Sequence, residues 1–465
     1  MIKSLIIDSI YMHLDFLFDV FVENQEKEAI IWKGVSYNYN WLLKHVKECQ
    51  ETIETSAVYE GTVVGLIGDF SPRSVGMLLS LIEKSCIIVP FSNTAKFDEK
   101  KYFNIASVEI VFRIDKHDNI NKTQLDNIPN NIFYNTIRER RHPGLVLFTS
   151  GTSGEPKAAV HDFTALLEKF KIRRTALRTL NFLLFDHWGG LNTLFHTLSN
   201  GGLVLAIQDR SPDAVAAFIE KHKIELLPAS PTFLNLLLIS EAYKRYDLSS
   251  LQVISYGTEP MTTHTLNRLS HIFPNVRLQQ TYGLIELGVL RSKSKSNDSL
   301  LVKVGGEGYD VRIVEGMLQI KADSVMLGYL NAPSPFTDDG WFKTGDAVIQ
   351  DGEYIRILGR KSELINVGGE KVYPVEIENV IQELDNVADV TVYSEKNLIT
   401  GNIICAKVTL IHKEDKNEFN KRLKLHCQKK LEKYKVPVKI VILEDEQFSQ
   451  RFKKIRRGDN NQQKE

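Results

Sequence analysis

The stretch Leu145-Val-Leu-Phe-Thr-Ser-Gly-Thr-Ser-Gly-Glu-Pro-Lys157 is the most informative part of the chain. Its first four residues are apolar and predict a buried strand. A loop follows that contains only hydroxyl residues, glycines and Lys157, apart from Glu155 and Pro156. Glycines allow successive backbone N–H groups to point at one anion, and the hydroxyls and the lysine add donors and positive charge. The stretch therefore predicts a strand that ends in a polyphosphate-binding loop.

Two other interpretations of this loop are a P-loop and a flexible linker. The P-loop of GTPases requires Gly-x4-Gly-Lys-Ser/Thr. Counting from Gly151, Pro156 stands where the second glycine belongs and Ala158 where the hydroxyl belongs, so the loop is of another type. The other alternative is a solvated Ser/Gly linker, but a linker needs neither a buried strand before it nor a lysine at its end.

Length and composition limit the possible classes of protein. A chain of 465 residues exceeds what one hydrophobic core usually holds, so two or more domains are expected. Lysine plus arginine equals aspartate plus glutamate at 58 each, which gives no electrostatic reason to expect nucleic acid or an anionic membrane. The four cysteines form no Cys-x-x-Cys pair, so neither a zinc site nor a disulfide framework is indicated. Residues 1–20 lack the apolar run of a signal peptide or a membrane span, and we expect a cytoplasmic protein.

Strand-like and helix-like patterns alternate along the first part of the chain. They predict a hairpin at 28–32 and 35–37, a helix capped by Asn40, a strand at 62–68, a helix begun by Ser71 and Pro72, and a strand at 86–90. After the loop, Asp162 or Thr164 is expected to cap a helix, with strands at 202–207, 224–228 and 251–255. Strand, helix and strand in this order predict right-handed βαβ units and a mostly parallel sheet.

The remaining third of the chain changes character twice. Residues 302–354 predict a β-rich subdomain of hairpins. Beyond them a small α/β unit is predicted, with helices at 374–384 and 420–434 and strands at 388–393, 403–411 and 438–443. We predict an α/β fold with a large N-terminal domain of stacked, mostly parallel sheets (1–359) and a small mobile C-terminal domain (360–465). The hinge is placed at 360–363, and the polar tail 458–465 is expected to be disordered.

Four further motif-like segments follow the loop along the chain. They are Tyr256-Gly-Thr-Glu-Pro260, Gln279-Gln-Thr-Tyr-Gly-Leu-Ile-Glu286, Trp341-Phe-Lys-Thr-Gly-Asp346 and the long stretch Leu358-Gly-Arg-Lys-Ser-Glu-Leu-Ile-Asn-Val-Gly-Gly-Glu-Lys-Val-Tyr-Pro-Val-Glu-Ile-Glu378. With the loop, this series resembles the adenylate-forming (AMP-binding) superfamily of acyl-CoA synthetases, luciferases and peptide-synthetase adenylation domains. The resemblance is nearest to carboxylate–CoA ligases.

The resemblance implies a role for each segment. Nucleotide contacts are expected at Thr149 (also catalytic), Ser150, Gly151, Thr152, Ser153, Gly154, Lys157, Gly257, Thr258, Glu259, Pro260, Gln280, Thr281, Tyr282, Gly283, Asp346 and Arg360. Within this set, Gly257 to Pro260 and Tyr282 would lie by the adenine, and Asp346 and Arg360 would hold the ribose. Glu286 would hold Mg²⁺, since this cation prefers oxygen ligands and bridges ATP phosphates. Gly368 and Gly369 would line a thiol tunnel. The alternative is that Glu286 is a surface residue and Tyr282 a core residue.

Three positions depart from the family pattern. Ile285 stands where a hydroxyl residue usually precedes the glutamate, and Ser362 occupies the hinge position, where Asp or Lys is more usual. The expected catalytic lysine is Lys454, in a segment where Lys453 replaces the usual glycine. The alternative for this segment is a solvated basic tail.

The acid-binding pocket fits two branches of the family. Aligned on His187 and Gly190, it resembles the His-x-x-Gly-Leu of carboxylate–CoA ligases, and aligned on Asp186 it resembles the Phe-Asp of amino-acid adenylation domains. The expected lining residues are Asp186, His187 (also catalytic), Trp188, Gly189, Tyr256 and Leu284. The alternative for His187 is a hydrogen-bonded polar residue near the sheet edge.

The implied activity has two steps. ATP–Mg²⁺ and a carboxylate give an acyl-adenylate and pyrophosphate, and a thiol of CoA then displaces AMP after the small domain rotates. The alternatives are adenylation of an amino acid or acyl group for the phosphopantetheine of a separate carrier protein, and a nucleotide-binding relative that no longer catalyses. The sequence specifies neither the acid nor the oligomeric state.

Overall fold

The computed structural model describes residues 13–150, 155–306, 308–443 and 454. Within these residues no helix is long and apolar enough to cross a membrane. The helices, in chain order, are α1 Asp15–Glu23, α2 Tyr39–Thr55, α3 Pro72–Glu83, α4 Glu99–Ala106, α5 Ile132–Arg140, α6 Phe163–Leu167, α7 Trp188–Ser199, α8 Pro212–His222, α9 Pro231–Ile239, α10 Ala242–Arg245, α11 Thr263–Ile272, α12 Pro374–Ile381 and α13 Lys416–Lys430.

Two seven-stranded sheets form most of the N-terminal part. The first has the order β20-β8-β7-β4-β3-β5-β6 and consists of β3 Val63–Gly68, β4 Ile87–Ser92, β5 Ile110–Ile114, β6 Ile120–Gln124, β7 Gly144–Ser150, β8 Pro156–Asp162 and β20 Gly328–Tyr329. Its inner strands β5, β3, β4 and β7 are parallel, and β8 returns antiparallel to β7. Every residue of β3 and β4 is buried, as expected for inner strands of a parallel sheet that is covered on both faces.

The second sheet has the order β13-β12-β11-β9-β10-β1-β2. Its strands are β1 Glu28–Trp32, β2 Val35–Asn38, β9 Arg178–Asn181, β10 Leu203–Ala206, β11 Leu226–Ala229, β12 Val253–Tyr256 and β13 Arg277–Gln280. All neighbours are parallel except β1 and β2, which form the predicted hairpin. One apolar core joins residues of α2, α3 and α7 with strands of both sheets, so the two sheets share a helical layer.

Antiparallel strands follow the second sheet. A six-stranded sheet has the order β16-β17-β22-β21-β19-β18 and consists of β16 Ser292–Ser294, β17 Val302–Val304, β18 Tyr309–Val314, β19 Met317–Ala322, β21 Phe342–Asp351 and β22 Tyr354–Arg360. A short hairpin, β14 Gly283–Leu284 with β15 Gly288–Val289, precedes it.

The C-terminal part has a core of its own, formed by strands and helices beyond residue 364. Its elements are the hairpin β23 Ile365–Val367 and β24 Glu370–Val372, and a three-stranded sheet of β25 Val387–Asn397, β26 Gly401–Leu410 and β27 Lys439–Leu443, covered by α12 and α13. A single turn of 3₁₀ helix, Lys361–Glu363, connects β22 to this part. The predicted hinge residue Ser362 lies in that turn.

The predicted fold class is confirmed, and two predicted helix starts were wrong. Helix α2 is capped by Asn38, which accepts the Trp41 N–H, and not by Asn40. Helix α13 begins at Lys416 and not at 420, because Asp415 accepts the N–H groups of Asn417 and Glu418. The first turns of α2 and α13 mix polar and apolar residues, so the apolar periodicity of the sequence does not locate the start of either helix. The domain boundary stays a prediction, and the tail 458–465 lies outside the described residues.

Candidate active site

The predicted phosphate loop lies at the tip of the β7–β8 hairpin. Thr149 pairs with Lys157 and Ser150 with Pro156 across the two strands, while residues 151–154 lie outside the described residues. Asn331 fixes the start of β8, since its Oδ1 accepts the Ala158 N–H at 3.0 Å and its Nδ2 donates to the Pro156 carbonyl at 2.8 Å. The two ends of the loop are therefore held in a defined position.

Tyr329 connects the end of this hairpin to the predicted metal carboxylate. Its hydroxyl donates to Glu286 Oε1 at 2.5 Å, and the Lys157 ammonium lies 5.5 Å from its ring centroid. Strand β20 brings Tyr329 there by pairing with Ala159 of β8. Burial, followed by the charge of Glu286, raises the pKa of Tyr329, so the hydroxyl keeps its proton. Sequence reasoning missed Tyr329, because no motif of the sequence includes it.

Asp346 and Arg360, the predicted ribose pair, are cross-strand partners in β21 and β22. The Arg360 Nε lies 3.4 Å from Asp346 Oδ1, and the Tyr282 hydroxyl donates to Asp346 Oδ2 at 2.6 Å. Burial raises the pKa of Asp346 although Arg360 acts to lower it. The pKa of Arg360 is also raised, because the charges of Asp346 and Glu286 outweigh burial. The charges of Glu286, Asp346 and Arg360 thus act on one another within one site.

Tyr282 itself is a core residue in this structure. It is 5% exposed and belongs to an apolar cluster with Leu287 and Leu290. Gln280, two residues before Tyr282, is buried, and its Oε1 atom has no hydrogen-bond partner among the described residues. That buried acceptor is free for a donor such as the amino group of a base. Contacts of Tyr282, Gln280 and Gly283 with the purine stay predictions.

The turn after β12 lies against the segment that contains Tyr282. The Thr281 N–H donates to the Tyr256 carbonyl at 2.7 Å, and the Thr281 hydroxyl donates to the same oxygen at 3.1 Å. A Cβ on Gly257 would lie 2.6 Å from the Thr281 Oγ1 and 2.7 Å from its carbonyl oxygen, so only glycine permits this approach. Thr258 adopts a left-handed backbone with φ +75°. The predicted adenine turn and Thr281 therefore form one unit.

Glu259, predicted beside the adenine, already has two backbone partners. Its Oε1 accepts the Thr232 N–H at 2.8 Å in the first turn of α9, and its Oε2 accepts the Lys454 N–H at 3.2 Å. Burial raises the pKa of this carboxyl in spite of those hydrogen bonds. The carboxylate links the N-terminal part to the backbone of the predicted catalytic lysine, which the sequence did not indicate.

The Lys454 side chain lies within the C-terminal part. Its ammonium donates to the Val390 carbonyl at 2.7 Å and lies 3.0 Å from Asp389 Oδ1 and 4.0 Å from Glu378 Oε2. Glu378 and Asp389 therefore compensate its charge in this arrangement. The predicted contact of Lys454 with a substrate carboxylate and α-phosphate stays a prediction.

The predicted acid pocket surrounds the N-terminus of α7. His187 caps this helix, since its Nδ1 accepts the Gly189 N–H at 3.0 Å, and Trp188 is buried against Phe163. Tyr256 is also buried, and Leu284 is half-buried in β14. His187 is thus a hydrogen-bonded polar residue at the start of a helix. Its role toward a substrate stays a prediction.

Two charged residues that sequence reasoning missed are Asp69, which lies near Asp186, and Arg210, which lies near Asp69. The pKa of Asp69 is raised, first by burial and further by the charge of Asp186, while the Ser92 hydroxyl bond and Arg210 act to lower it. The Ser92 hydroxyl donates to Asp69 Oδ1 at 2.8 Å. Asp69 follows β3 and Arg210 follows β10, so each is contributed by a different sheet. Asp69 and Arg210 are far apart in the sequence and belong to no motif, so the sequence alone does not predict this cluster.

Lys169 was also missed. Its ammonium donates to Asn192 of α7 and to the Val289 carbonyl of β15, and no carboxylate of the described residues pairs with it. Burial, followed by the charges of Arg174 and Arg291, lowers the pKa of Lys169 to about 7. Lys169 therefore joins the helix that follows His187 to the hairpin beside Glu286.

Gly368 and Gly369 form the turn between β23 and β24. The Gly369 N–H donates to Asn366 at 2.9 Å, and the Gly368 N–H donates to the Thr400 carbonyl at 2.8 Å. The turn is thus held by its own strand and by the loop before β26. The predicted contact of these glycines with a thiol stays a prediction.

Comparison with known proteins identifies the class to which this fold and site belong. The model of the AMP-binding enzyme family matches residues 18–330, and the model of the AMP-binding enzyme C-terminal domain matches residues 376–453. The chain belongs to this family, and so to the adenylate-forming superfamily that its motifs resemble.

Two relatives and one solved structure show which members of the family the chain is similar to. The chain is 30% identical to an indoleacetate–CoA ligase of Aromatoleum aromaticum over 65% of its own length and 64% of the relative's length. It is 25% identical to a 2-succinylbenzoate–CoA ligase of Listeria monocytogenes over 90% of the chain and 93% of the relative. An anthranilate CoA ligase solved with anthranoyl-AMP shares the fold, with a TM-score of 0.78 at 18% identity and 94% coverage of both chains. These similarities agree with the predicted enzyme class, an AMP-forming acid–CoA ligase.

Proposed function

We propose that this protein is a carboxylate–CoA ligase that activates an organic acid with ATP. The observation that carries the proposal is the single site formed by Asp346, Arg360 and Glu286, in which Tyr329 donates to Glu286 and the Lys157 ammonium of the β7–β8 hairpin lies 5.5 Å from the Tyr329 ring. Binding of ATP–Mg²⁺ needs an acceptor for the ribose hydroxyls, a carboxylate for Mg²⁺ and a cation for the triphosphate, and this site contains all three.

In the first half-reaction, an oxygen of the substrate carboxylate attacks the α-phosphorus of ATP. A bond forms between that oxygen and phosphorus, the bond to the bridging oxygen breaks, and pyrophosphate leaves with the electron pair. Asp346 accepts hydrogen bonds from the ribose hydroxyls, which places the α-phosphorus relative to the acid. Lys157 and the hydroxyls at the loop stabilise the charge on the phosphate oxygens.

Glu286 is suited to a divalent cation. Its Oε1 is occupied by the Tyr329 hydroxyl, whereas its Oε2 receives no hydrogen bond from any described residue. One carboxylate together with substrate phosphates is a common way for a protein to hold Mg²⁺, and the ion would neutralise charge on the leaving pyrophosphate. The Tyr329 hydrogen bond fixes the orientation of the carboxylate for that purpose.

In the second half-reaction, the sulfur of a CoA thiol attacks the acyl carbon, its proton passes to solvent, and AMP leaves. The hydrogen bond from the Lys454 backbone to Glu259 would have to break if the C-terminal part rotates at Lys361–Glu363, whereas the contact of Lys454 with Asp389 lies within that part and would move with it. A thiol would then enter where Lys454 had been, by way of Gly368 and Gly369.

A second candidate is activation of an amino acid for a separate carrier protein. The observation that favours it is the pair of carboxylates Asp186 and Asp69, which would attract an α-ammonium group. A catalytically weakened nucleotide-binding relative, suggested by Ile285, is the third.

The experiment that separates these candidates is acid-dependent exchange of labelled pyrophosphate into ATP, measured with a panel of aryl, alkyl and amino acids. The proposal predicts exchange with at least one plain acid, thioester formation when free CoA is added, and loss of exchange in Lys454→Ala. Exchange restricted to amino acids, and abolished by Asp186→Asn, would favour the carrier-protein function. No exchange with any acid in the panel would favour the inactive relative.

A further inference from the structure

A cavity of about 820 Å³ lies between helix α11, strand β22 and helix α12. Its lining includes none of the residues predicted to bind the nucleotide or the acid, although Met261 directly follows Pro260. The two sides are joined beside it by the Thr263 N–H, which donates to Asn379 Oδ1 at 2.8 Å, and by Asn235, which donates to the Ala388 carbonyl at 3.0 Å. Cavities of this volume between two structural units are common sites for small organic ligands.

One wall of the cavity is basic. Helix α11 contributes His264, Asn267, Arg268 and His271, whose spacing places them on one face of the helix, and β22 contributes Arg356. Neither Arg268 nor Arg356 forms an ion pair with a carboxylate of the described residues. Two permanent positive charges therefore line the cavity without a carboxylate partner.

The acidic residues of the opposite wall are already paired. Glu376 lies 3.2 Å from the ammonium of Lys435, and Glu383 pairs with Lys430 and lies 3.3 Å from the ring of His426. These cations compensate the carboxylates from the C-terminal side. The charge of Arg268 also acts on Glu241, which is itself paired with Lys244 at 2.6 Å. Arg268 and Arg356 therefore have no carboxylate of the described residues within ion-pair distance.

Most of the remaining lining is apolar, apart from Thr263 and Asn379. It is provided by Tyr243, Met261, Ile272, Leu300, Ile357 and Leu358. A bare inorganic anion would leave this surface uncovered, whereas a neutral apolar molecule would leave both arginines unpaired. The lining therefore fits a molecule that has an anionic end and an apolar body.

We propose that this cavity binds a small organic phosphate, with the phosphate at Arg268 and Arg356 and an aromatic or aliphatic body against the apolar lining. Phosphate is favoured over a carboxylate because its charge of about −1.5 to −2 near pH 7 can balance both arginines, and the planar arginine fork matches its oxygens with two parallel hydrogen bonds. The apolar body of the ligand would also contact Val375 of α12, so its binding stabilises the present arrangement of the two parts over any in which α12 has moved away. The site is distinct from the proposed catalytic site and does not depend on the proposed reaction.

The test uses 1-naphthyl phosphate as the probe and isothermal titration calorimetry on the full chain. We expect saturable binding by the wild type, with much weaker binding of 1-naphthol and of inorganic phosphate. Arg268→Gln and Arg356→Gln are each expected to weaken binding about tenfold or more, because each removes a charge-assisted hydrogen bond. Arg277→Gln, an exposed arginine outside the cavity, is the matched control and should bind as the wild type does.

Each other outcome overturns the proposal. Absence of saturable binding would show that the cavity does not recognise this class of ligand. Equal binding by the wild type and both arginine variants, or displacement of the probe by ATP, would place the probe elsewhere. Binding of 1-naphthol as tight as that of its phosphate would remove the role of the arginines. Thermal unfolding of each variant verifies that it is folded, and pyrophosphate exchange, measured separately, reports on the catalytic site alone.

Discussion

Replacing Asp346 with asparagine tests the ribose site most directly. The substitution keeps the shape of the side chain but removes the charge that interacts with the Tyr282 hydroxyl at 2.6 Å and with Arg360 at 3.4 Å. A hydrogen bond to a charged group contributes about 1.5–3 kcal/mol. Loss of one such bond to a ribose hydroxyl corresponds to a roughly 10- to 150-fold rise in the KM for ATP.

The assay is acid-dependent pyrophosphate exchange at varied ATP, repeated with 2′-deoxy-ATP. The wild type should discriminate against the deoxynucleotide, and Asp346→Asn should lose most of that discrimination because the acceptor of the hydroxyl is already weakened. Asp339→Asn is the matched control, since Asp339 is an exposed carboxylate paired with Arg312 at 2.7 Å and should leave both values unchanged. A normal KM for ATP in Asp346→Asn, with discrimination against 2′-deoxy-ATP intact, would refute this assignment.

Three more predictions concern the metal, a buried charge and the packing of α7. Glu286→Gln should raise the Mg²⁺ concentration needed for half-maximal exchange about tenfold or more, because a neutral amide is a weaker ligand for a hard cation, and an unchanged Mg²⁺ dependence would contradict that role. Burial lowers the pKa of Lys169 from its usual 10.5 to about 7. Between pH 7 and pH 10.5 the folded state therefore binds fewer protons than the unfolded state, and the free energy of unfolding rises with pH in this range. Lys169→Met should reduce that rise in urea midpoint between pH 7 and pH 9, and an identical slope in both proteins would show that the lysine is not the group responsible. Gly190→Ala should destabilise the protein by about 3 kcal/mol, because its Cβ would lie 2.2 Å from the Leu184 carbonyl oxygen. Gly316→Ala should lower the free energy of unfolding by only about 1 kcal/mol in the same experiment, because the new Cβ meets open space and the only penalty is the positive φ of +74°.

The sequence by itself determined the fold class and the positions of the main motifs. The apolar runs at β3 and β4 predict strands of a mostly parallel sheet, and the loop after Phe148 is predicted to follow a buried strand, which is β7. Asp346 and Arg360 could also be chosen from their motifs, and they are cross-strand partners. Such features depend on local backbone chemistry and on short-range periodicity, which a linear sequence displays directly.

The tertiary structure alone decided which side chains meet within the site. Tyr329 and Glu286 are 43 residues apart and come together only because β20 adds to the edge of the sheet beside β8. Glu259 was expected beside the adenine, but the N-terminus of α9 supplies the Thr232 N–H that binds its carboxylate. Burial then raises the pKa of Asp69 and lowers that of Lys169, because desolvation depends on every element packed around a group and no segment of sequence contains that information.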